Sequence, residues 1–312
     1  MVMRQPASYV ALHRAGELAA RAARARAALA DCALCPRDCR VNRLETADGQ
    51  CRIGRRARVS SYGPHFGEES PLVGRRGSGT IFLTSCSLQC VFCQNWDVSH
   101  ERVGAEVTDE ALAAMMLDLE ARGCHNVNLV TPTHMVAQVL TALDLAAGQG
   151  LTVPIVYNTG GYDRVETLRL LDGVVDVYMP DVKTLDPAAA ARYLGAPDYP
   201  AVVRAAVAEM HRQVGDLAVD DGVATRGLLV RHLVMPEDAM RTGEVVRFLA
   251  RDVSRDTYLN LMDQYRPCGD ACHDPAIARP LAAREFDAAL DACGAEGLTR
   301  LDGHVGRRFR SF

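Results

Sequence analysis

The sequence predicts an α/β fold in which six βα units form a partial barrel, preceded by a small N-terminal cysteine-rich, metal-binding extension. Three observations predict it. Six short apolar runs follow Gly77, helical stretches of about ten residues separate them, and four cysteines crowd into residues 32–51. Continuously apolar strands alternating with helices imply parallel pairing and right-handed crossovers, because such strands are covered on both faces. At 312 residues the chain suffices for one such domain and a small appendage, since single cores stop growing near ~250–300 residues.

From residue 9 to 31, alanines, leucines and arginines repeat as in a helix. The Ala/Arg composition resembles a transit peptide, but no apolar signal core interrupts the arginines, which favours an amphipathic surface helix. Residues 32–77 show little periodicity, so their shape is expected to come from a bound metal. Candidate strands cover 80–84, 126–130, 154–158, 175–180, 228–235 and 258–262. Between them, helical patterns cover 109–122, 136–149, 165–171, 199–214 and 242–251. A turn rich in Pro, Gly and Cys follows Gln264, then a helix near 284–293 and a basic tail with Arg307, Arg308 and Arg310, read as a solvated end. The expected division is 1–77 for the extension, 78–265 for the barrel and 266–312 for a C-terminal extension.

Composition narrows the function. The formal net charge of −4, with both signs mixed along the chain, offers no electrostatic footprint for nucleic acid. No run approaches the ~18–20 apolar residues that cross a bilayer. Eleven cysteines, seven of them in two short runs, point away from a disulfide framework and toward metal ligation in a reducing compartment, the cytoplasm.

The run Thr84-Ser-Cys-Ser-Leu-Gln-Cys-Val-Phe-Cys-Gln-Asn-Trp96 sets Cys86, Cys90 and Cys93 at C-x3-C-x2-C in a loop directly after the first barrel strand. A [4Fe–4S] cubane has four irons, so three protein thiolates leave one iron open to a chelating cofactor. The alternatives are a zinc site completed by His100, or buried structural cysteines. Cys32, Cys35, Cys39 and Cys51 form C-x2-C-x3-C-x11-C, a closed set of four that would hold zinc or an auxiliary [4Fe–4S] cluster. Cys268, Cys272 and His273 form a third group near the expected barrel mouth, able to complete a metal site, make a redox pair or simply occupy a turn. Cys124 and Cys293 read as small buried hydrophobes. His65, Glu68 and Glu69 could line the active site, although a solvated loop is the preferred reading. On the fifth barrel strand, Arg231 and His232 sit in an apolar run, and alternation turns one of them to the interior to meet substrate or cofactor, or to serve as a structural charge.

The first cysteine loop resembles the signature of the radical S-adenosylmethionine (SAM) superfamily, C-x3-C-x-aromatic-C, with Phe92 as the aromatic residue. Within that superfamily, Cys32-Ala-Leu-Cys-Pro-Arg-Asp-Cys39, Gly77-Ser-Gly-Thr-Ile-Phe82, Asn128-Leu-Val-Thr-Pro-Thr-His134, Pro154-Ile-Val-Tyr-Asn-Thr-Gly-Gly-Tyr162 and Tyr178-Met-Pro-Asp-Val-Lys183 are similar to pyruvate formate-lyase activating enzyme and its relatives. The resemblance spans roughly 32–265. It implies a partial (β/α)6 radical SAM barrel, an electron donor of the flavodoxin or ferredoxin type, and reductive cleavage of SAM to a 5′-deoxyadenosyl radical that abstracts hydrogen from a substrate. That substrate is a glycine of a partner enzyme or a small metabolite; a non-catalytic metal-binding protein is the alternative outside enzymology. Asn158 and Thr159, with Asp181 and Lys183, would surround the cofactor's carboxylate and ribose. The usual Gly-Gly-Glu after the second strand is replaced here by Thr131-Pro-Thr-His134, leaving Thr131 and Thr133 to meet the methionyl amino group. Asn158 stands where the family carries aspartate, so any cation site there loses a charge.

Overall fold

The computed structural model describes residues 7–303. The expected single N-terminal helix is instead two, α1 (Tyr9–Arg14) and α2 (Glu17–Ala27), because Gly16 takes a left-handed φ of 75° that breaks the helix. Leu18, Ala22 and Ala25 are buried, and α2 packs on α6 (Val136–Gly148). The segment read as lacking periodicity contains a nine-residue strand, β1 (Ala57–His65), followed by α3 (Ser70–Val73).

Six parallel strands follow the expected pattern: β2 (Ser78–Leu83), β4 (Val127–Val130), β5 (Ile155–Thr159), β6 (Val177–Pro180), β8 (Val223–Leu233) and β9 (Tyr258–Met262). They pair in that sequence in parallel, β2 to β4, β5, β6, β8 and β9. Two short strands, β3 (Ala105–Val107) and β7 (Ala218–Asp220), pair antiparallel to β1 and β8, and β1 pairs antiparallel to β2. The result is an α/β architecture with a mostly parallel, partly closed barrel.

The crossovers carry α4 (Trp96–Ser99), α5 (Asp109–Ala121), α6, α7 (Val165–Leu170), α8 (Pro187–Leu194), α9 (Tyr199–Val214) and α10 (Thr242–Phe248). The expected helix over 242–251 is α-helical only to Phe248; a π-turn, Leu249–Val253, finishes it. After β9, α11 (Ala283–Glu296) packs on α10. The basic tail at 307–310 lies outside the described residues.

Strand alternation fixes what faces inward. Val156, Val177, Met179 and Leu229 point into the barrel and meet Leu72 of α3, which closes the end of the barrel opposite the strands' C-termini. Two residues further along, Asn158, Asp181 and Arg231 replace the apolar set with a polar layer, which Asn260 of β9 joins.

Candidate active site

The three-cysteine loop leaves β2 at its C-terminal end, where parallel barrels place their chemistry. Leu88 N–H donates to Cys86 Sγ (3.4 Å) and Ser99 Oγ to Cys93 Sγ (3.2 Å). Burial pushes the Cys86 thiol up to about 11 and the Cys90 thiol to about 12, with Lys183 acting against that rise at both. Protonated thiols in so dry a loop are poised for a bound cation that displaces the protons. Three thiols, two donors and a nearby ammonium fit a cluster with one open iron. His100 lies flat on Trp96 at 3.7 Å with its Nδ1 against Ser99 Oγ.

Next to this loop stands a chain of ion pairs. Lys183 Nζ donates to Asp181 Oδ2 (2.7 Å), Arg231 Nε to Asp181 Oδ1 (2.8 Å), and Arg231 Nη2 to Asn158 Oδ1 (2.7 Å). Burial alone would raise the Asp181 carboxyl, but Arg231 and Lys183 outweigh it and hold it below its ordinary value. The same contact raises Lys183 against the effect of its own burial. Tyr199, wholly buried, accepts from Lys183 N–H (3.0 Å) while its hydroxyl faces the carbonyls of Gly160 (2.9 Å) and Asp181 (2.8 Å), fixing the β6 end against the loop after β5.

The structure brings Asn158, Asp181, Lys183 and Arg231 together. It splits the pair on β8: Arg231 faces the interior, whereas His232 faces the helix layer, its Nδ1 on Val182 O (2.7 Å) and its Nε2 on Thr242 Oγ1 (3.0 Å). Thr131 ends β4 with a left-handed φ of 61° and donates its N–H to Asn158 O (2.7 Å). Thr133 and Thr159 direct their hydroxyls to Asp163 at 2.7 and 2.6 Å, joined there by Tyr157 OH (3.0 Å). This buried knot was not legible in sequence; it stitches the β4 and β5 ends together and leaves those two threonines only backbone groups to offer a ligand.

Beside the polar layer lies a cavity of about 470 Å³, lined among others by His65, Glu68, Glu69, Asn158, Arg231 and Asn260. Glu68 and Glu69 are therefore not on a solvated loop: they are 9% and 4% exposed, because the chain after β1 turns inward before α3 closes the barrel. Burial, and next the Glu69 carboxylate, push Glu68 up to about 7.

The second cysteine set is compact. Burial pushes the Cys35 thiol up to about 12, and the neighbouring Cys51, Cys32 and Cys39 add to the rise. Arg43, 2% exposed, points Nη1 at Cys32 Sγ (3.5 Å), is held by the Ile53 and His134 carbonyls, and leaves Nη2 without a partner. A buried cation with a spare donor beside four thiols fits an anionic metal–thiolate centre. The two cysteine sets touch: Ser85 Oγ donates to Cys51 O (2.6 Å) and Arg37 Nε to Ser87 O (2.7 Å). Cys124 and Cys293 are buried. Cys272 is exposed and Cys268 half-buried, on a turn whose Ala271 N–H donates to Val91 O (3.0 Å) and so covers the cluster loop. Among the described residues, no three His, Cys, Asp or Glu side chains converge closely enough to hold one metal ion, and no helix is long and apolar enough to cross a membrane.

Comparison with known proteins agrees with this geometry. Residues 80–249, just over half of the chain and spanning β2 to α10, match the radical SAM superfamily. The uncharacterized protein MJ0674 of Methanocaldococcus jannaschii is 32% identical over 270 residues, covering 84% of this chain and 73% of the relative. With the three-cysteine loop at the β2 end, the partial barrel behind it and the matched span coinciding, the chain belongs to the radical SAM superfamily.

Proposed function

We propose that this protein binds a [4Fe–4S] cluster through Cys86, Cys90 and Cys93, cleaves SAM reductively and abstracts hydrogen from a substrate held in the 470 Å³ cavity. One observation carries the reading: the cysteine loop lies within electrostatic reach of Lys183 and Asp181. When bound, the cluster and SAM supply one-electron cleavage of a sulfonium C–S bond, yielding a carbon radical. The chain's own residues bind and orient. Lys183, held by Asp181, neutralises the cofactor's carboxylate as a point charge. Asn158 and Arg231 set the far edge of the cofactor site, and the backbone at Thr131, Thr133 and Thr159 offers donors and acceptors to the methionyl and ribose groups. Leu88 and Phe92 (1% and 4% exposed) are apolar surface that keeps water from the loop.

Cys32, Cys35, Cys39 and Cys51 hold the second metal. A closed set of four neighbouring thiols beside the buried Arg43 suits tetrahedral zinc or an auxiliary [4Fe–4S] cluster, and in the second case it would pass electrons from a flavodoxin- or ferredoxin-type donor. Such thiols fit a reducing compartment such as the cytoplasm. The role of activating a glycyl-radical enzyme rests on the similar sequence phrases, whereas a cavity of about 470 Å³ favours a small metabolite or a single side chain.

Anaerobic reconstitution followed by dithionite and SAM is expected to give 5′-deoxyadenosine and methionine in equal amounts. Absence of both from protein with intact clusters refutes the proposal. Metal analysis separates the second site: loss of iron and sulfide in Cys32→Ala/Cys35→Ala supports the cluster, and loss of zinc alone refutes it.

A further inference from the structure

The chain between β1 and β2 does something that the proposed chemistry does not use. It carries Glu68 and Glu69 into the barrel interior, where both line the cavity beside Asn260 and Arg231. Glu69 Oε1 accepts from Asn260 Nδ2 (2.9 Å) and faces Arg231 Nη1 at 3.8 Å. Among the described residues its Oε2 is buried and has no hydrogen-bond partner, and the Glu68 carboxyl lies beside Glu69. A buried carboxylate oxygen without a donor is costly to keep, and an oxygen that lines a cavity can be satisfied by a donor on a bound molecule. Arg231 cannot turn to supply it, because Nε and Nη2 are committed to Asp181 and Asn158.

Position separates this pair from the cofactor. Cys90 neighbours Lys183, Lys183 holds Asp181, Asp181 holds Arg231, and Arg231 faces Glu69. The glutamates thus lie across Arg231 from the cysteine loop. The cavity lining runs from Glu68 and Glu69 past Arg231 to Asn158 and to Asn95 of the cysteine loop, and includes neither Asp181, Lys183 nor any of the three cluster cysteines. With the Arg231 guanidinium already engaged by Asp181 and Asn158, the two adjoining glutamates disfavour an anion and favour a desolvated cation that can donate to Glu69 Oε2.

We infer that Glu68 and Glu69 are the recognition point for a positively charged nitrogen on the substrate, an ammonium or a guanidinium, which places the neighbouring carbon–hydrogen bonds toward the cofactor side of Arg231. This inference rests on the function proposed above. The cation belongs to a free amine or to a lysine or arginine side chain of a protein, and the carboxylate pair serves either source.

The test is calorimetric titration of the anaerobically reconstituted full-length protein with n-butylammonium, with the tripeptide acetyl-Gly-Lys-Gly-amide, and with butyrate. One of the two cations is expected to bind and butyrate to give no heat. Tighter binding of the free amine points to a metabolite and of the tripeptide to a protein, and both support the inference. Glu69→Gln is expected to weaken the cation at least tenfold, and Glu68→Gln makes the same comparison should the first variant not fold. Equal binding of butyrate and n-butylammonium by the unaltered protein overturns the inference. So does an equal loss of SAM affinity in Glu69→Gln, which would assign the carboxylates to the cofactor, or Mg²⁺ binding that abolishes the ammonium response. Production of 5′-deoxyadenosine is followed on the unaltered protein alongside: its absence with cation binding intact sinks only the proposed function, and its presence without cation binding sinks only this inference.

Discussion

Replacing Asp181 by Asn removes one carboxylate that serves two cations. Asp181, Lys183 and Arg231 have side chains 17%, 17% and 18% exposed, so water screens the contacts only weakly. Breaking a buried pair by deleting one partner costs ~3–5 kcal/mol, because the other charge is left uncompensated. The amide still accepts one hydrogen bond, which puts the loss near ~3 kcal/mol. With an unfolding entropy of ~2.1 cal/mol/K per residue, a chain of this length loses about 4–5 °C in Tm per 3 kcal/mol. Asp181→Asn is therefore expected to melt about 4–5 °C lower by anaerobic circular dichroism, and adding Lys183→Met is expected to recover part of the loss by removing the stranded ammonium. A shift under about 1 °C for the single variant, or no recovery in the double, would show that the Lys183–Asp181–Arg231 chain is not the buried, mutually dependent unit described above.

Glu68 sets a second expectation. Its folded value near 7 lies above the ordinary 4.5, so the folded state holds the proton more tightly and its stabilising contribution is lost as pH rises from about 4.5 through 7. Glu68→Gln should abolish that loss, gaining on the order of 2–3 kcal/mol relative to the unaltered protein between pH 5 and 8; parallel Tm–pH curves for the two would contradict it. Tyr199→Phe strands Lys183 N–H and two carbonyls and is expected to cost ~1–3 kcal/mol in urea unfolding, whereas no change in midpoint would mean that the hydroxyl fixes nothing. Gly161→Ala puts a methyl group against the Asp181 carbonyl and Val203 at a φ of 77°, so it should fail to fold or should lower Tm, and a neutral result would refute the close packing there.

The barrel strands were legible because each is a short apolar run between turn residues, and β9 falls on residues 258–262 as expected. The position of Cys86, Cys90 and Cys93 directly after the first barrel strand was legible from their spacing, and the Asp181–Lys183 contact from their alternation onto one side of an extended segment. β1 was hidden: Ser60, Ser61, Gly63 and Pro64 erase its alternation, as an antiparallel outer strand can tolerate. The break at Gly16 was overridden by the strong helix formers around it. Glu68 and Glu69 read as solvated because charge is a surface signal, and only the inward path of the chain before α3 reverses it. Asp163, Tyr199 and Arg43 had no local signal, since their partners lie far away in sequence: Asp163 meets Thr133, Tyr199 meets Gly160, and Arg43 meets His134.

In the proposed function, Cys86, Cys90 and Cys93, and not the four-cysteine set, hold the cluster at which SAM is cleaved. The direct measurement is 5′-deoxyadenosine formed per chain by reconstituted, dithionite-reduced protein, compared with the Cys86→Ala/Cys90→Ala/Cys93→Ala variant that retains Cys32, Cys35, Cys39 and Cys51. Product is expected from the first and none from the second, while the variant keeps the metal of its N-terminal site. Equal product from both, or none from the unaltered protein with its clusters intact, would contradict it.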